Sequence, residues 1–170
     1  MSFTKHEQES NVLEIPMGGL GVTTADKTTL QTFVGSCVAV CVYDDVAKIA
    51  GMAHVMLPKN NTSDPVPKPE GKFADVALKV LIERLTSSGA NPIRLKAKMA
   101  GGANVFRNES KQNMFNIGLR NIEAIRSALK EKKIPLLSED VGSKNGRWVT
   151  FDVSSNQMTI RERTKGVMVI

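Results

Sequence analysis

Residues 38–43, VAVCVY, set six apolar side chains in an unbroken row, and that row constrains the fold more than any other stretch. A run this short, rich in valine and closed by Asp44-Asp45, reads as a buried strand followed by a turn. Residues 28–34 form another strand-like stretch of β-branched and apolar residues, and Gly35-Ser36 separates the two. Residues 49–57 supply a further strand, which carries His54 in AHVML and ends at Pro58. Upstream, residues 12–22 interleave apolar positions with Pro16, Gly18, Gly19 and Gly21, the pattern of a strand interrupted by turns or bulges.

Beyond Pro58 the pattern changes. Residues 59–72 hold three prolines, two asparagines and Gly71, which predicts a long surface loop. Phe73, Ala77, Val80, Leu81 and Leu85 then recur at helical spacing, so residues 73–85 read as an amphipathic helix closed by Gly89. Ile93, Leu95, Ala97 and Met99 alternate with basic residues as in a half-buried strand, which Gly101-Gly102-Ala103-Asn104 breaks. A second helix fits residues 117–132, with Leu119, Ile122, Ile125, Ala128 and Leu129 on one face. Residues 135–138 read as a short strand, and 147–163 as a hairpin turning near Ser154-Ser155-Asn156. The sum is an α+β chain with helices on one side of a mixed sheet, residues 1–11 as a flexible tail and 12–170 as a single domain.

A 170-residue chain buries roughly 70% of its unfolded surface and needs no disulfide or metal to stay folded. Two cysteines are too few for a disulfide scaffold, and only His6 and His54 are present to join them, so no structural zinc site and no cofactor is expected. No apolar run approaches the ~20 residues that span a bilayer. The polar start MSFTKHEQESN lacks a signal-peptide pattern, which makes the cytoplasm the expected location. The net charge of +6 is spread along the chain and aromatic residues make up only 5%, which argues against nucleic acid and for an acidic protein partner.

Cys37 raises the chemical question. A cysteine in an apolar strand ordinarily behaves as a small hydrophobe, and Cys41, between Val40 and Val42, fits that description. Cys37 fits it less well, because Gly35-Ser36 interrupts the strand where a buried thiol would gain from its continuing. Glycine permits a sharp turn that leaves backbone N–H groups free beside the thiol, a pairing of nucleophile and oxyanion site. A nucleophilic thiol needs a base, or an imidazolium that lowers its pKa. His54 is the only histidine outside the tail, and antiparallel strands turning near residues 44–48 bring it beside Cys37. The residues alone leave a core cysteine and a nucleophile both open.

The runs GSCVAVCVYD, KIAGMAHVMLP, KFADVALKVLIERL, KAKMAGGANVF, IGLRNIEAIRSALKEKKIPLLSEDVG and GRWVTFD, in that order, resemble the CheD family of chemoreceptor glutamine deamidases. The resemblance covers about residues 20–155. It implies a layered α/β/β sandwich and a cysteine amidohydrolase (a protein-glutamine glutaminase) with a Cys-His-Thr catalytic set. Cys37 matches the nucleophile in G-S-C, His54 the histidine of the next strand, and Thr32 the threonine in T-x-x-G-S-C, with Gln31 at the neighbouring position. Gly35 and Ser36 then shape the site or its oxyanion hole.

The same resemblance implies methyl-accepting chemotaxis receptors as substrates and glutamate as product, with glutamyl methyl ester hydrolysis as a further activity. It also implies a CheC-type response-regulator phosphatase as partner, so that a regulatory binding module is the alternative function. A cysteine hydrolase acting on another acyl substrate is a third. Candidate partner surfaces are Gly101, Gly102 and Phe106 at the strand break, and Lys59, Lys68 and Lys72 around the proline-rich loop.

Overall fold

The computed structural model of the protein describes residues 11–104 and 116–170. Along the chain run β1 (Asn11–Glu14), β2 (Leu20–Thr23), β3 (Thr28–Val34), β4 (Val38–Asp44), β5 (Ile49–Val55), α1 (Ala74–Ser87), β6 (Lys96–Gly101), α2 (Ile117–Glu131), β7 (Leu136–Val141), β8 (Arg147–Asp152), β9 (Gln157–Glu162) and β10 (Gly166–Val169). The strands form two five-stranded sheets, an outer one in the order β1-β3-β8-β9-β10 and an inner one in the order β2-β5-β4-β6-β7. Both are mixed: in the outer sheet β1 lies parallel to β3, which pairs antiparallel with β8, and in the inner one β6 lies parallel to β7 but antiparallel to β4.

The unbroken apolar row of β4 follows from its place in the middle layer. Val38, Val40 and Val42 pack beneath the helices with Leu78, Leu81, Ile125 and Leu129. Ala39, Cys41 and Tyr43 point the other way, into the layer between the sheets with Leu30, Val34, Val149, Phe151 and Ile160. Helices, inner sheet and outer sheet thus stack as an α/β/β sandwich, and a strand covered on both faces has no polar side to show. β3 and β8 alternate buried with half-buried or exposed residues, because the outer sheet has only one covered face.

Several sequence expectations change in the structure. The 12–22 stretch is two strands in different sheets, with the turn at Pro16–Gly19 carrying the chain from one layer to the other. Asn11 already belongs to β1, and the rest of the expected tail, residues 1–10, lies outside the described residues. The alternating stretch enters its strand only at Lys96, because Pro92–Arg94 forms a 3-10 turn with Pro92 at its start. On α2, Leu119 is exposed while Gly118 and Asn121 join Ile122, Ile125 and Leu129 on the buried face. β10 was not expected at all. The 59–72 loop carries neither helix nor strand, yet Val66 packs against Phe73 and the Asp75 carboxylate accepts from the Asn60 N–H at 3.0 Å. Among the described residues no helix is long and apolar enough to cross a membrane.

Candidate active site

Strand alternation brings the three expected site residues to one layer. On β3, Thr28, Leu30, Thr32 and Val34 face the inner sheet, and on β5 Ala50, Met52 and His54 face the outer one. Thr32 and His54, from different sheets, meet with Oγ1 and Nδ1 2.8 Å apart. The Thr32 hydroxyl donates to the Ile15 carbonyl, also at 2.8 Å, so its single proton is committed there. It therefore accepts from Nδ1–H, which leaves the lone pair of the neutral ring on Nε2. That nitrogen is buried and has no hydrogen-bond partner among the described residues.

Cys37 lies one residue before β4 and continues the inward alternation of Ala39, Cys41 and Tyr43, packing against the same cluster. Ala39 sits directly opposite His54 in the β4–β5 register, which makes Cys37 the diagonal neighbour of His54 on that face. Burial lowers the His54 pKa below its ordinary 6.5, so the ring is neutral at pH 7. Burial also pushes the half-buried Cys37 thiol up, with its own backbone N–H pulling partly back down. A neutral thiol and a neutral imidazole on one face suit general-base activation rather than a preformed ion pair. Cys41 is fully buried and its thiol is pushed far up by desolvation, as suits a core residue.

The loop Gly35-Ser36-Cys37 is held by its carbonyls. The Gly35 oxygen accepts from Ala103 N–H at 2.9 Å and the Cys37 oxygen from Gly102 N–H at 2.8 Å. The Ser36 oxygen accepts from the Asn121 side-chain amide at 3.2 Å. In a trans peptide the N–H points away from the carbonyl before it, so the Ser36 and Cys37 N–H groups face away from these anchors. Neither N–H bonds to another residue among the described residues. Two such donors beside a thiol suit an oxyanion.

Gly101 and Gly102 explain why the strand breaks where it does. Their φ values are +120° and +69°, and a Cβ on Gly101 would lie 2.4 Å from the Cys37 carbonyl oxygen. A Cβ on Gly102 would lie 2.4 Å from the Ile122 side chain. The pair lets β6 approach both the cysteine loop and α2 closely. Phe106, expected beside them as a partner anchor, lies outside the described residues.

Asn121 and Arg147 escaped the sequence reading. Asn121 is fully buried, and its Nδ2 donates to Ser36 O at 3.2 Å and to Met56 O at 2.9 Å, joining the cysteine loop to the chain just after His54. Its Oδ1 is left without a partner among the described residues. A polar residue on an otherwise apolar helix stripe was the available signal. Arg147 is 1% exposed and ties the start of β8 to Asp140 and Gly142 at the end of β7, locking the two sheets together at the Cys37 end.

The loop lysines are placed differently from one another. Lys68 pairs with Glu70, which also binds Arg84, while Lys72 lies 5.4 Å over the Phe73 ring. The loop's end reaches the site through its backbone: Gly71 N–H donates to Gly18 O, Gly18 N–H to His54 O, and His54 N–H to Gly19 O. No group of three or more His, Cys, Asp or Glu residues able to hold a metal occurs among the described residues.

Residues 56–162 match the family described as CheD chemotactic sensory transduction, a span that begins two residues after His54. A protein of Halalkalibacterium halodurans named chemoreceptor glutamine deamidase CheD is 43% identical over 157 residues, 92% of this chain and 97% of its own length. Proteins of Desulfitobacterium hafniense and Methanococcus vannielii named probable chemoreceptor glutamine deamidase CheD are 40% and 41% identical over 95% and 89% of this chain, and 99% and 95% of their own lengths. The family segment spans more than half of the chain and the relatives align almost end to end: the chain belongs to the CheD family.

Proposed function

We propose that the protein hydrolyses the side-chain amide of glutamine residues in chemoreceptors, with Cys37 as nucleophile, His54 as base and acid, and Thr32 as the residue that orients the imidazole. The observation that carries this reading is the Thr32–His54 hydrogen bond, which fixes the tautomer and leaves Nε2 open on the face shared with Cys37. His54 Nε2 takes the thiol proton as Cys37 Sγ attacks the amide carbon. The Ser36 and Cys37 N–H groups receive the negative oxygen of the tetrahedral intermediate. The imidazolium then protonates the departing nitrogen, ammonia leaves, and a glutamyl thioester remains. Water, deprotonated by the same Nε2, cleaves the thioester to glutamate and restores the thiol. A glutamyl methyl ester would give the same thioester with methanol as leaving group, so ester hydrolysis belongs to the same site.

Intact-mass analysis of a purified receptor cytoplasmic region incubated with the protein tests this reading. Each turnover adds about one dalton and releases one ammonia. A receptor whose mass is unchanged, with no ammonia formed, would overturn it.

A further inference from the structure

The outer face of the outer sheet is left uncovered by the helices, and it carries an aromatic pair. Phe33 and Trp148, opposite each other on β3 and β8, are 50% and 43% exposed and meet edge to face with ring centroids 5.3 Å apart. They form part of a groove of about 420 Å³ whose wall includes Gly146, Arg161, Arg163 and Thr164. A second hollow of about 290 Å³, bounded by Gln31, Thr150 and Thr159, shares Trp148 and Arg161 with the first. Together they make a trough along β9 and into the turn after it, from Thr159 to Thr164, roughly 15–20 Å at the strand rise.

The trough opens at the chemical end of the sandwich. Phe33 adjoins Thr32, and Val34, next along, pairs with Arg147 at the start of β8 just before the chain crosses through Gly35-Ser36-Cys37. Its charge is positive. Arg161 and Arg163 are exposed and form no ion pair among the described residues. The nearby Glu162 carboxylate is 4% exposed behind the groove wall, where Ser143, Asn145 and Thr164 donate to it and Lys165 stands 3.9 Å away. Two exposed guanidiniums flanking exposed aromatic rings suit carboxylates carried next to an apolar side chain.

We infer that this trough docks an acidic segment of the protein substrate beside the target glutamine, with an apolar side chain on Phe33 and Trp148 and carboxylates on Arg161 and Arg163. The inference rests on the deamidase reading for the identity of the substrate, and charge complementarity selects the segment. Each turnover turns a neutral amide into a carboxylate, so a segment with several targets becomes more acidic, and better matched to the trough, as the reaction proceeds.

Trp148 is the only tryptophan in the chain, which makes its emission a direct probe of the trough. Titrating the full-length protein with a tryptophan-free cytoplasmic region of a chemoreceptor should shift that emission saturably. Arg161→Glu/Arg163→Glu should weaken the titration by at least about tenfold and abolish most of its salt dependence. In kinetics the same variant should raise KM by a similar factor with kcat unchanged, and leave hydrolysis of a short neutral glutamine peptide as in wild type. A silent Trp148, or a titration indifferent to the two charge reversals, overturns the inference. So does equally tight binding of a single-stranded oligonucleotide, which marks a nucleic-acid surface. Ammonia released while Trp148 stays silent removes the trough and keeps the deamidase. A Trp148 shift without ammonia does the reverse.

Discussion

The two ends of β4 solve opposite problems. At its C-terminal end Asp44, fully buried, accepts from the backbone N–H groups of Val46, Ala47 and Asn91 and from Arg94, so its carboxylate is saturated and held far below the usual range. At its N-terminal end, beside Cys37, His54 Nε2 and Asn121 Oδ1 are buried acceptors without partners among the described residues, and Arg147 Nε is a donor without one there. A buried polar atom left unpaired costs about 1–3 kcal/mol, so the first end holds the fold together while the second gives up stability. The contrast teaches where to look for chemistry in a packed sandwich: at polar groups that the fold positions and then leaves unpaired.

The sharpest way to break this contrast is at the two cysteines. Cys37→Ala should abolish ammonia release from receptor while barely moving the melting temperature. Cys41→Ala should keep most activity and lose about 1 kcal/mol through a small cavity, read by denaturant unfolding. Equal activity in the two variants would mean that the unsatisfied end is not the reactive one.

His54→Ala should slow turnover by about 10²–10⁴-fold, since one ring serves both proton transfers. Its pH behaviour sharpens the point. The folded pKa lies below 6.5, so between that value and 6.5 the unfolded chain binds more protons and stability rises with pH. Acid should therefore cost stability in that window and turnover only below it, once the folded ring itself protonates, and His54→Gln should lose the stability dependence. Alkylation of Cys37 should titrate above an ordinary thiol rather than below it, because burial raises it.

Asn121→Leu separates position from stability. It keeps the side-chain volume close and removes the tie between Ser36 and Met56, so kcat should fall by about 10–100-fold with KM little changed. The alkylation profile of Cys37 should shift as the loop relaxes, and Asn121→Asp, which cannot donate to both carbonyls, should not rescue it. At the other end Asp44→Ala should do the converse, lowering the melting temperature by about 10 °C while the folded fraction keeps its kcat. The smallest effect belongs to the loop: reversing Lys59, Lys68 and Lys72 should change receptor KM less than reversing Arg161 and Arg163, since Glu70 already pairs Lys68.

The architecture was legible wherever period and burial coincide. The apolar row at 38–43, the helical stripe beginning at Phe73 and the hairpin around Ser154–Asn156 all appear near their expected places, because side-chain burial alone decides them. The Gly35-Ser36 interruption likewise marked the loop that presents Cys37. What the sequence hid depends on contacts remote along the chain. Nothing local says that residues 11–14 and 20–23 enter different sheets, or that Leu119 would be exposed and Asn121 buried. The choice of Thr32 over Gln31 is a matter of strand parity, since only the residue on the inward face of β3 can reach His54. The trough was invisible for the same reason, as Phe33, Trp148 and Arg161 converge only when three strands align.

Thr32 hangs from one sheet and His54 from the other, so their 2.8 Å bond measures how the two layers slide over each other. A shear of about one ångström, small against the ~10 Å between packed sheets, would stretch this bond past hydrogen-bonding distance without unpairing a strand. The enzyme thereby carries its own strain gauge. Mild pressure or denaturant, or thinning of the interlayer contact between Tyr43 and Phe151, whose rings stand 5.1 Å apart, should silence turnover while circular dichroism still reports intact sheets.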